Sequence, residues 1–150
     1  MKLVIDEDEK IVLYLYDYFF NLSEKENVTK EIKKIFLKLI KYYSLKINGI
    51  YEVYLYENNK YGTVLEIKKQ AELLFNPDII DIKLKIYKNV NFYLKTNNYF
   101  ILEIYKNIYY KDNFYYIKID EIDNINNLIE YVDIIYKEKD NYLNKMVFIK

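Results

Sequence analysis

The residues of this chain that could do chemistry are lysines, carboxylates and tyrosines, because the most versatile types are missing. The sequence contains no His and no Cys, and all 23 of its basic residues are lysine. Thiolate and imidazole metal sites, a cysteine nucleophile and a Ser-His-Asp triad are therefore excluded. The lack of Arg removes bidentate recognition of phosphate and carboxylate. Any proton transfer would need Asp, Glu, Lys or Tyr with a shifted pKa, so we expect no enzyme activity and no cofactor.

Lysines concentrate on the clearest predicted helix, where Glu31 is the lone acid among them. A basic helical face can dock an acidic protein surface, anionic lipid or nucleic acid, or it can be a solvated polar face. Because the 23 basic and 23 acidic residues cancel, an acidic protein surface fits better than nucleic acid. The candidate binding lysines are Lys30, Lys33, Lys34, Lys38 and Lys41.

Tyrosine is unusually abundant, with 20 copies in 150 residues. Strands favour tyrosine, and an outward tyrosine covers a sheet face while its hydroxyl stays in water. Tyrosine is also enriched at protein interfaces, which makes a tyrosine-rich sheet face a candidate binding surface. Within it we single out Tyr54 and Tyr56. The alternative is that the tyrosines stack on single-stranded nucleic acid while the lysines contact its backbone.

Carboxylates offer a third and least favoured chemistry, that of a metal-dependent hydrolase. The triplets Glu66-Ile67-Lys68 and Asp81-Ile82-Lys83 each resemble half of a metal-dependent nuclease site, but the upstream partner acid is missing. The acidic run at 6–9 lacks the glycine and distal glutamate of a calcium loop. We therefore assign no metal ligand.

Alternating and helical periodicities indicate which elements carry these residues in the first half of the chain. Strands are predicted at 2–6 and 10–19, and a helix from about residue 28 to Ser44, with Asn27 or Thr29 as its N-cap. A hairpin follows, because an Asn- and Gly-containing turn separates two strand patterns at 50–57 and 63–69.

The second half reads as a run of short strands with one further helix. Strand patterns occupy 80–87, 90–94, 100–104, 108–110, 114–119 and 145–149. A second amphipathic helix is predicted to begin near Asp120 or Asp123, and its apolar face would comprise Ile122, Ile125, Leu128, Ile129 and Val132. The predicted class is α+β, with largely antiparallel sheet and two amphipathic helices.

The length predicts one domain over residues 1–150, with a possible internal boundary at 70–78 and a helical turn through residues 71–75. Charges at 6–9 interrupt any signal-peptide core, and no apolar run approaches the roughly 20 residues of a membrane span. We expect a soluble, cytoplasmic chain without a membrane span.

The first 70 residues resemble the N-terminal domain of MecA-type adaptor proteins in element order and in two glycines. The shared run is a strand pair with a polar turn, an amphipathic helix, Gly49 opening a strand, Gly62 in the next turn, and a strand ending at Lys68 and Lys69. The run 109–116 followed by a helix is similar to that family's C-terminal domain. The resemblance implies an adaptor that tethers substrates to a regulatory protease complex.

Composition and pattern together lead to one functional expectation. The chain should be a non-enzymatic protein-interaction domain, an adaptor or a regulator, that binds a protein partner through its tyrosine-rich sheet face or its lysine-rich helix. Self-association into a homo-oligomer is left open, because the predicted second helix is as acidic as the first is basic.

Overall fold

Two five-stranded sheets and one long helix make up the α+β fold of the computed structural model, which describes residues 1–6, 10–45, 48–71, 79–139 and 141–150. The first sheet contains β1 (Lys2–Ile5), β2 (Ile11–Tyr16), β3 (Gly49–Asn58), β4 (Gly62–Ala71) and β5 (Ile80–Tyr87), in the order β1-β2-β4-β3-β5. Helix α1 (Lys25–Tyr43) follows β2. All neighbours are antiparallel except β3 and β5, which run parallel.

The second sheet is built from shorter strands and is antiparallel throughout. Its strands are β6 (Tyr93–Thr96), β7 (Tyr109–Lys111), β8 (Phe114–Lys118), β9 (Asp133–Ile135) and β10 (Val147–Phe148), in the order β10-β7-β8-β6-β9. A single helical turn, α2 (Ile101–Ile104), and two 3-10 turns (Ile119–Glu121 and Tyr142–Lys145) connect them. The predicted α+β class with mostly antiparallel sheet is confirmed.

Helix α1 forms because its apolar residues recur at helical spacing and meet the sheet. Val28, Ile32, Phe36 and Leu39 are all fully buried. The helix ends where Ser44 adopts a left-handed conformation, with φ of 53°. The predicted helix is confirmed, but it begins at Lys25, three residues earlier than the apolar pattern indicated.

The predicted hairpin between β3 and β4 is also confirmed. The Asn58 side-chain carbonyl accepts hydrogen bonds from the backbone N–H groups of Lys60 and Tyr61, at 3.0 and 2.8 Å, which holds the turn. Gly62 follows with φ of +119°, and a Cβ there would lie 2.4 Å from the Leu15 carbonyl oxygen. Only glycine lets β2 approach the turn this closely.

The first sheet lies between two cores, because its strands present alternate residues to opposite faces. One face packs under α1, and its buried residues include Leu13, Leu15, Val53, Leu55 and Leu65. We call this the helix-covered face. The other face meets the second sheet and its connections, and its core includes Val12, Val64, Phe92, Leu94, Ile117 and Ile134. We call this the sheet-covered face.

Two predicted elements are wrong. The second amphipathic helix does not form: the chain after Asp120 is a 3-10 turn followed by successive turns up to β9. Its predicted apolar residues are nevertheless in the second core: Ile122, Ile125, Ile129 and Val132 are buried, and Leu128 packs against them. The strand predicted at 100–104 is the helical turn α2, which leaves Ile104 65% exposed.

Some predictions lie outside the described residues. They are residues 7–9 of the acidic run, Lys46, which the sequence groups with the lysines of the first predicted helix, and residues 72–78 of the possible boundary, with most of the helical turn predicted at 71–75. Within the part of the chain that the structure describes, no helix has the length and apolar character needed to cross a bilayer.

Candidate functional site

The predicted binding lysines line the outer surface of α1. Lys30, Lys34, Lys38 and Lys41 are exposed and Lys33 is half-buried. Lys30 pairs with Glu26 at 3.7 Å, and Glu31 accepts a hydrogen bond from the Tyr18 hydroxyl at 2.8 Å. Among the described residues the other four form no ion pair with an acid. The lysines therefore form a basic stripe, with Leu37, 59% exposed, at its centre.

Tyr54 and Tyr56 lie on the opposite face of the sheet from α1, so the structure does not bring the two predicted binding sets together. Both side chains are half-buried. The Tyr54 hydroxyl donates to Glu52 at 3.0 Å. The ammonium groups of Lys68 and Lys85 lie 5.2 and 5.4 Å from the centre of the Tyr54 ring, within the range of cation–π attraction.

Tyr56 belongs to a larger aromatic cluster that the sequence did not reveal. Its ring stacks on that of Tyr87 with centroids 5.0 Å apart and an interplanar angle of 10°. Tyr136, which follows β9, lies 5.1 Å from Tyr56 on the other side. We call Tyr54, Tyr56, Tyr87 and Tyr136 the tyrosine strip. It runs along the part of the sheet-covered face nearest to β5.

A buried carboxylate lies beneath the strip and fixes one end of it. Glu66 of β4 is 1% exposed, and it accepts a hydrogen bond from the Tyr136 hydroxyl at 2.7 Å. The ammonium groups of Lys137 and Lys68 pair with it at 2.6 and 3.2 Å. Three partners thus satisfy a charge that would otherwise be costly to bury.

The pKa of Glu66 reflects this balance. Burial alone would raise the pKa of the carboxyl, but the hydrogen bonds from Lys137, Tyr136 and Lys68 outweigh it and hold the pKa below its ordinary value of 4.5. Glu66 is therefore ionised at neutral pH. It acts as a fixed anion that orients Tyr136 and Lys137, and it does not exchange protons near pH 7.

The tyrosine hydroxyls around Glu66 have raised pKa values, in contrast to the lowered pKa of Glu66. Burial, reinforced by the charges of Asp133 and Glu66, raises the pKa of Tyr14 to about 12. Burial and the Glu66 charge likewise raise the pKa of Tyr56 to about 12. The pKa of Tyr136 is raised as well, by burial and by its hydrogen bond to Glu66. These hydroxyls stay neutral near pH 7, so they can donate hydrogen bonds but cannot act as general bases.

The strip borders an open hollow of about 350 Å³. Its lining is Tyr56, Tyr87, Val90, Tyr136, Lys137 and Glu138. The walls are aromatic rings, and the rim carries one cation and one anion. Tyr87 is the most accessible ring of the strip, at 44% exposed. The hollow suits an apolar or aromatic side chain of a partner that carries a polar group able to meet the rim.

Only part of this site follows from the sequence. The strand pattern predicts Tyr54 and Tyr56 as binding residues, whereas Glu66 and Lys68 resemble only half of a metal site. The usable signal for Glu66 was an acidic residue flanked by Val64, Leu65 and Ile67, in the apolar first part of its strand. Nothing in the local sequence indicates that residues 136 and 137 reach across to this strand.

The other predicted carboxylate features have simple structural roles. Asp6 pairs with Lys10 at 3.0 Å across the β1–β2 turn. Asp81 is exposed on β5. Asp120 lies in the 3-10 turn Ile119–Glu121 and does not begin an α-helix; its backbone carbonyl and side chain accept hydrogen bonds from Lys60 and Asn58 at 2.7 and 3.3 Å, respectively. Across the described ranges, no three acidic residues come close enough together to hold a metal ion.

A second exposed apolar region lies around α2, away from the strip. Phe100, Ile104 and Tyr131 are 52, 65 and 78% exposed, and they line a groove between α2 and the turns before β9. It lacks the charged rim of the hollow.

Comparison of the chain with protein-family models, with curated proteins and with solved structures finds no match.

Proposed function

We propose that this chain is a non-enzymatic interaction domain, an adaptor or a regulator, that binds a partner protein through the tyrosine strip. The observation that carries the proposal is the arrangement of Tyr56, Tyr87 and Tyr136 around an open hollow. Stacking and the hydrogen bond to Glu66 fix these rings before any partner arrives. A pre-ordered aromatic surface loses little side-chain entropy on binding, which favours affinity.

The charges around the strip favour a partner with acidic groups. Lys68, Lys85 and Lys137 surround the rings, and their side chains are 41, 57 and 44% exposed. Glu66 pairs with Lys68 and Lys137 but is itself buried, and Glu52 pairs with Lys85 at 3.8 Å, so the cations are the more accessible members of these pairs. An aromatic or apolar anchor next to an acidic residue would match both the hollow and its rim.

The basic stripe of α1 is a second candidate surface for an acidic partner. Its supporting observation is that Lys33, Lys34, Lys38 and Lys41 have no acidic partner among the described residues, while Leu37 is exposed between them. Lysines in the last turns of a helix also stabilise it through the helix dipole, which accounts for some of them without any partner. We therefore rank this surface below the strip.

Binding of single-stranded nucleic acid remains the alternative function. It was expected to use the lysines and the tyrosines together, but the sheet separates them, so one strand would have to use either set alone. Neutral net charge and the lack of Arg also weigh against it. Retention on single-stranded DNA at low salt that falls steeply as salt rises would favour this alternative.

Affinity purification from the cells that make this protein tests the proposal. Three of the baits are the wild type, Tyr87→Ala and Tyr131→Ala. The Tyr131→Ala variant removes an exposed ring from the groove near α2. A fourth bait carries Lys30→Glu, Lys34→Glu and Lys38→Glu. We expect Tyr87→Ala to lose a specific partner that the wild type and Tyr131→Ala both recover.

Each alternative surface gives a different result. Loss of the same partner only from the lysine variant would place the binding surface on α1. Loss only from Tyr131→Ala would place it at the groove near α2. Equal recovery by all four baits would contradict both the strip and the stripe as docking surfaces.

A further inference from the structure

Strand β5 forms one edge of the first sheet, and no strand of the described residues pairs with its outer side. Among the described residues β3 is the only strand that pairs with β5. The strand has eight residues, which is long for an exposed edge. An open edge of this length offers a row of backbone donors and acceptors to another strand.

The pairing with β3 identifies which backbone groups are available. The Gly49 N–H donates to the Ile79 carbonyl at 2.9 Å, so the odd-numbered residues of β5 direct their backbone groups toward β3. Ile80, Ile82 and Leu84 therefore direct their N–H and C=O groups outward. Their side chains point to the helix-covered face and pack against its core.

The side chains on the other face of this edge carry charges of both signs, Asp81 followed by Lys83 and Lys85, and Lys85 already pairs with Glu52 at 3.8 Å. Asp81 and Lys83 are both exposed, and neither forms an ion pair with another described residue. Such charges deter indiscriminate pairing with other strands. They permit pairing with a strand that places the opposite sign at each position.

We propose that β5 pairs with β5 of a second copy of this chain, antiparallel and about a two-fold axis at Ile82. In this register Asp81 of each copy faces Lys83 of the other, so both ion pairs form by symmetry. Centring the pair on Asp81 would set Asp81 opposite itself. Centring it on Lys83 would set Lys83 opposite itself, and the lysine that would then face Asp81, Lys85, is already paired with Glu52. The charge pattern thus selects one register.

The neighbouring helix is compatible with this arrangement. Lys25 and Glu26, in the first turn of α1, line an open hollow of about 500 Å³ together with Ile82 and Lys83. Each copy would bring one cation and one anion to the axis, so the two turns complement each other. Tyr87 lies beyond the paired residues, and the tyrosine strip stays accessible in the dimer.

The paired segment is short, so the dimer should be weak. Five residues from each copy, 80–84, bury less surface than a standard interface, and we expect a dissociation constant of about 10–100 µM. Sedimentation equilibrium of the full chain at low ionic strength, up to about 1 mM protein, covers this range. The register is tested by charge exchange with Asp81→Lys, Lys83→Asp and the double variant.

Each single variant sets like charges opposite each other twice, so we expect dimerisation to weaken about tenfold. The double variant restores opposite signs and should dimerise like the wild type. A mixture of the two single variants should form a heterodimer, because every facing pair is then complementary. The heterodimer also serves as a folding control for both single variants.

Other results would overturn the inference. A wild type that remains monomeric up to about 1 mM contradicts the pairing itself. A dimer that both single variants form as well as the wild type does contradicts this register. Neither result bears on the tyrosine strip, because the variants lie outside it and partner capture by Tyr87→Ala is measured separately.

Discussion

The two faces of the first sheet are held by different physical means. Helix α1 covers one face with fully buried aliphatic and aromatic side chains such as Ile32, Phe36 and Leu39. The other face is covered by short strands and turns, and polar bonds anchor them. Lys137 and Tyr136 bind Glu66 there. A continuous helix covers its face through packing, whereas a cover made of turns needs directional bonds to hold it in place.

Further anchors repeat this pattern along the sheet-covered face. The Lys2 ammonium donates to the backbone carbonyls of Ile129 and Val132, at 2.9 and 3.1 Å. The Asn58 amide donates to the Val90 carbonyl at 2.8 Å. Each bond joins the first sheet to a segment from the second half of the chain. This face therefore depends on hydrogen bonds and ion pairs, and part of its stability is linked to pH.

The largest expected effect lies on the helix-covered face. Phe36 is fully buried, with its ring 5.6 Å from that of Tyr51. Phe36→Ala should lower the free energy of unfolding by about 3–5 kcal/mol, measured by urea denaturation. The control Leu37→Ala removes a neighbouring side chain that is exposed, and it should change the free energy by less than about 0.5 kcal/mol. Similar losses in both variants would contradict packing as the main support of this face.

The next effect concerns the buried anion of the sheet-covered face. Glu66→Gln keeps the shape but removes the charge, and we expect a loss of about 1.5–3 kcal/mol at pH 7. Because folding lowers the pKa of Glu66, its contribution is complete above the ordinary carboxyl pKa and is lost as pH falls through the lower folded value.

Urea denaturation of the wild type and of Glu66→Gln at several pH values tests whether the contribution of Glu66 to stability is lost as the pH falls. The two free energies of unfolding should converge as the pH falls below 4.5, because the wild-type carboxyl then becomes neutral too. A difference that stays constant from pH 7 down to acid pH would show that the charge of Glu66 is not what stabilises this face.

A smaller effect is expected for the hydroxyl that Glu66 holds. Tyr136→Phe removes one hydrogen bond and keeps the ring, so we expect a loss of about 1 kcal/mol. In a double-mutant cycle with Glu66→Gln the two losses should combine to less than their sum, because the introduced glutamine can still accept this bond but without the charge that strengthens it. Tyr131→Phe, at an exposed ring, is the matched control and should be neutral. Additive losses would mean that the two residues act separately.

The smallest effect at neutral pH concerns the buried tyrosine hydroxyls. Their raised pKa values change the pH dependence of stability only in alkaline solution. With folded pKa values of about 12 for Tyr14 and Tyr56 against an ordinary value of 10.0, their contribution is complete below pH 10 and is lost as pH rises toward 12. Absorbance titration should show these phenols ionising after the exposed tyrosines. Tyr56→Phe should reduce the loss of stability between pH 10 and 12, whereas Tyr131→Phe should leave it unchanged.

The sequence predicted those elements whose signals are local. Helix α1 has an uninterrupted apolar period, and the β3–β4 turn contains Asn58 and Gly62, which suit its backbone. The second predicted helix has the same apolar period but includes Asn124, Asn126 and Asn127. Asparagine side chains compete with the backbone for hydrogen bonds and disfavour a helix interior. Successive turns bury the same apolar residues without forming a helix.

The candidate site was only partly predictable for a different reason. Tyr54 and Tyr56 could be identified because their positions follow from the alternation along one strand. The contact between Glu66 and Tyr136 joins residues 70 positions apart, and it depends on how the second sheet packs on the first. Alternation predicts which side of a strand a residue occupies, but it does not predict what covers that side.

The division of the two cores also bears on the order in which the chain can fold during synthesis. The buried residues under α1 all lie between Ile11 and Leu84, whereas the core on the other face includes residues up to Ile134. A growing chain can thus complete the first core while Val12 and Val64 still lack their cover. At about 5–20 residues per second this interval lasts roughly 3–10 s. During that time the uncovered face is an apolar surface on which chaperones, or another nascent chain, can bind.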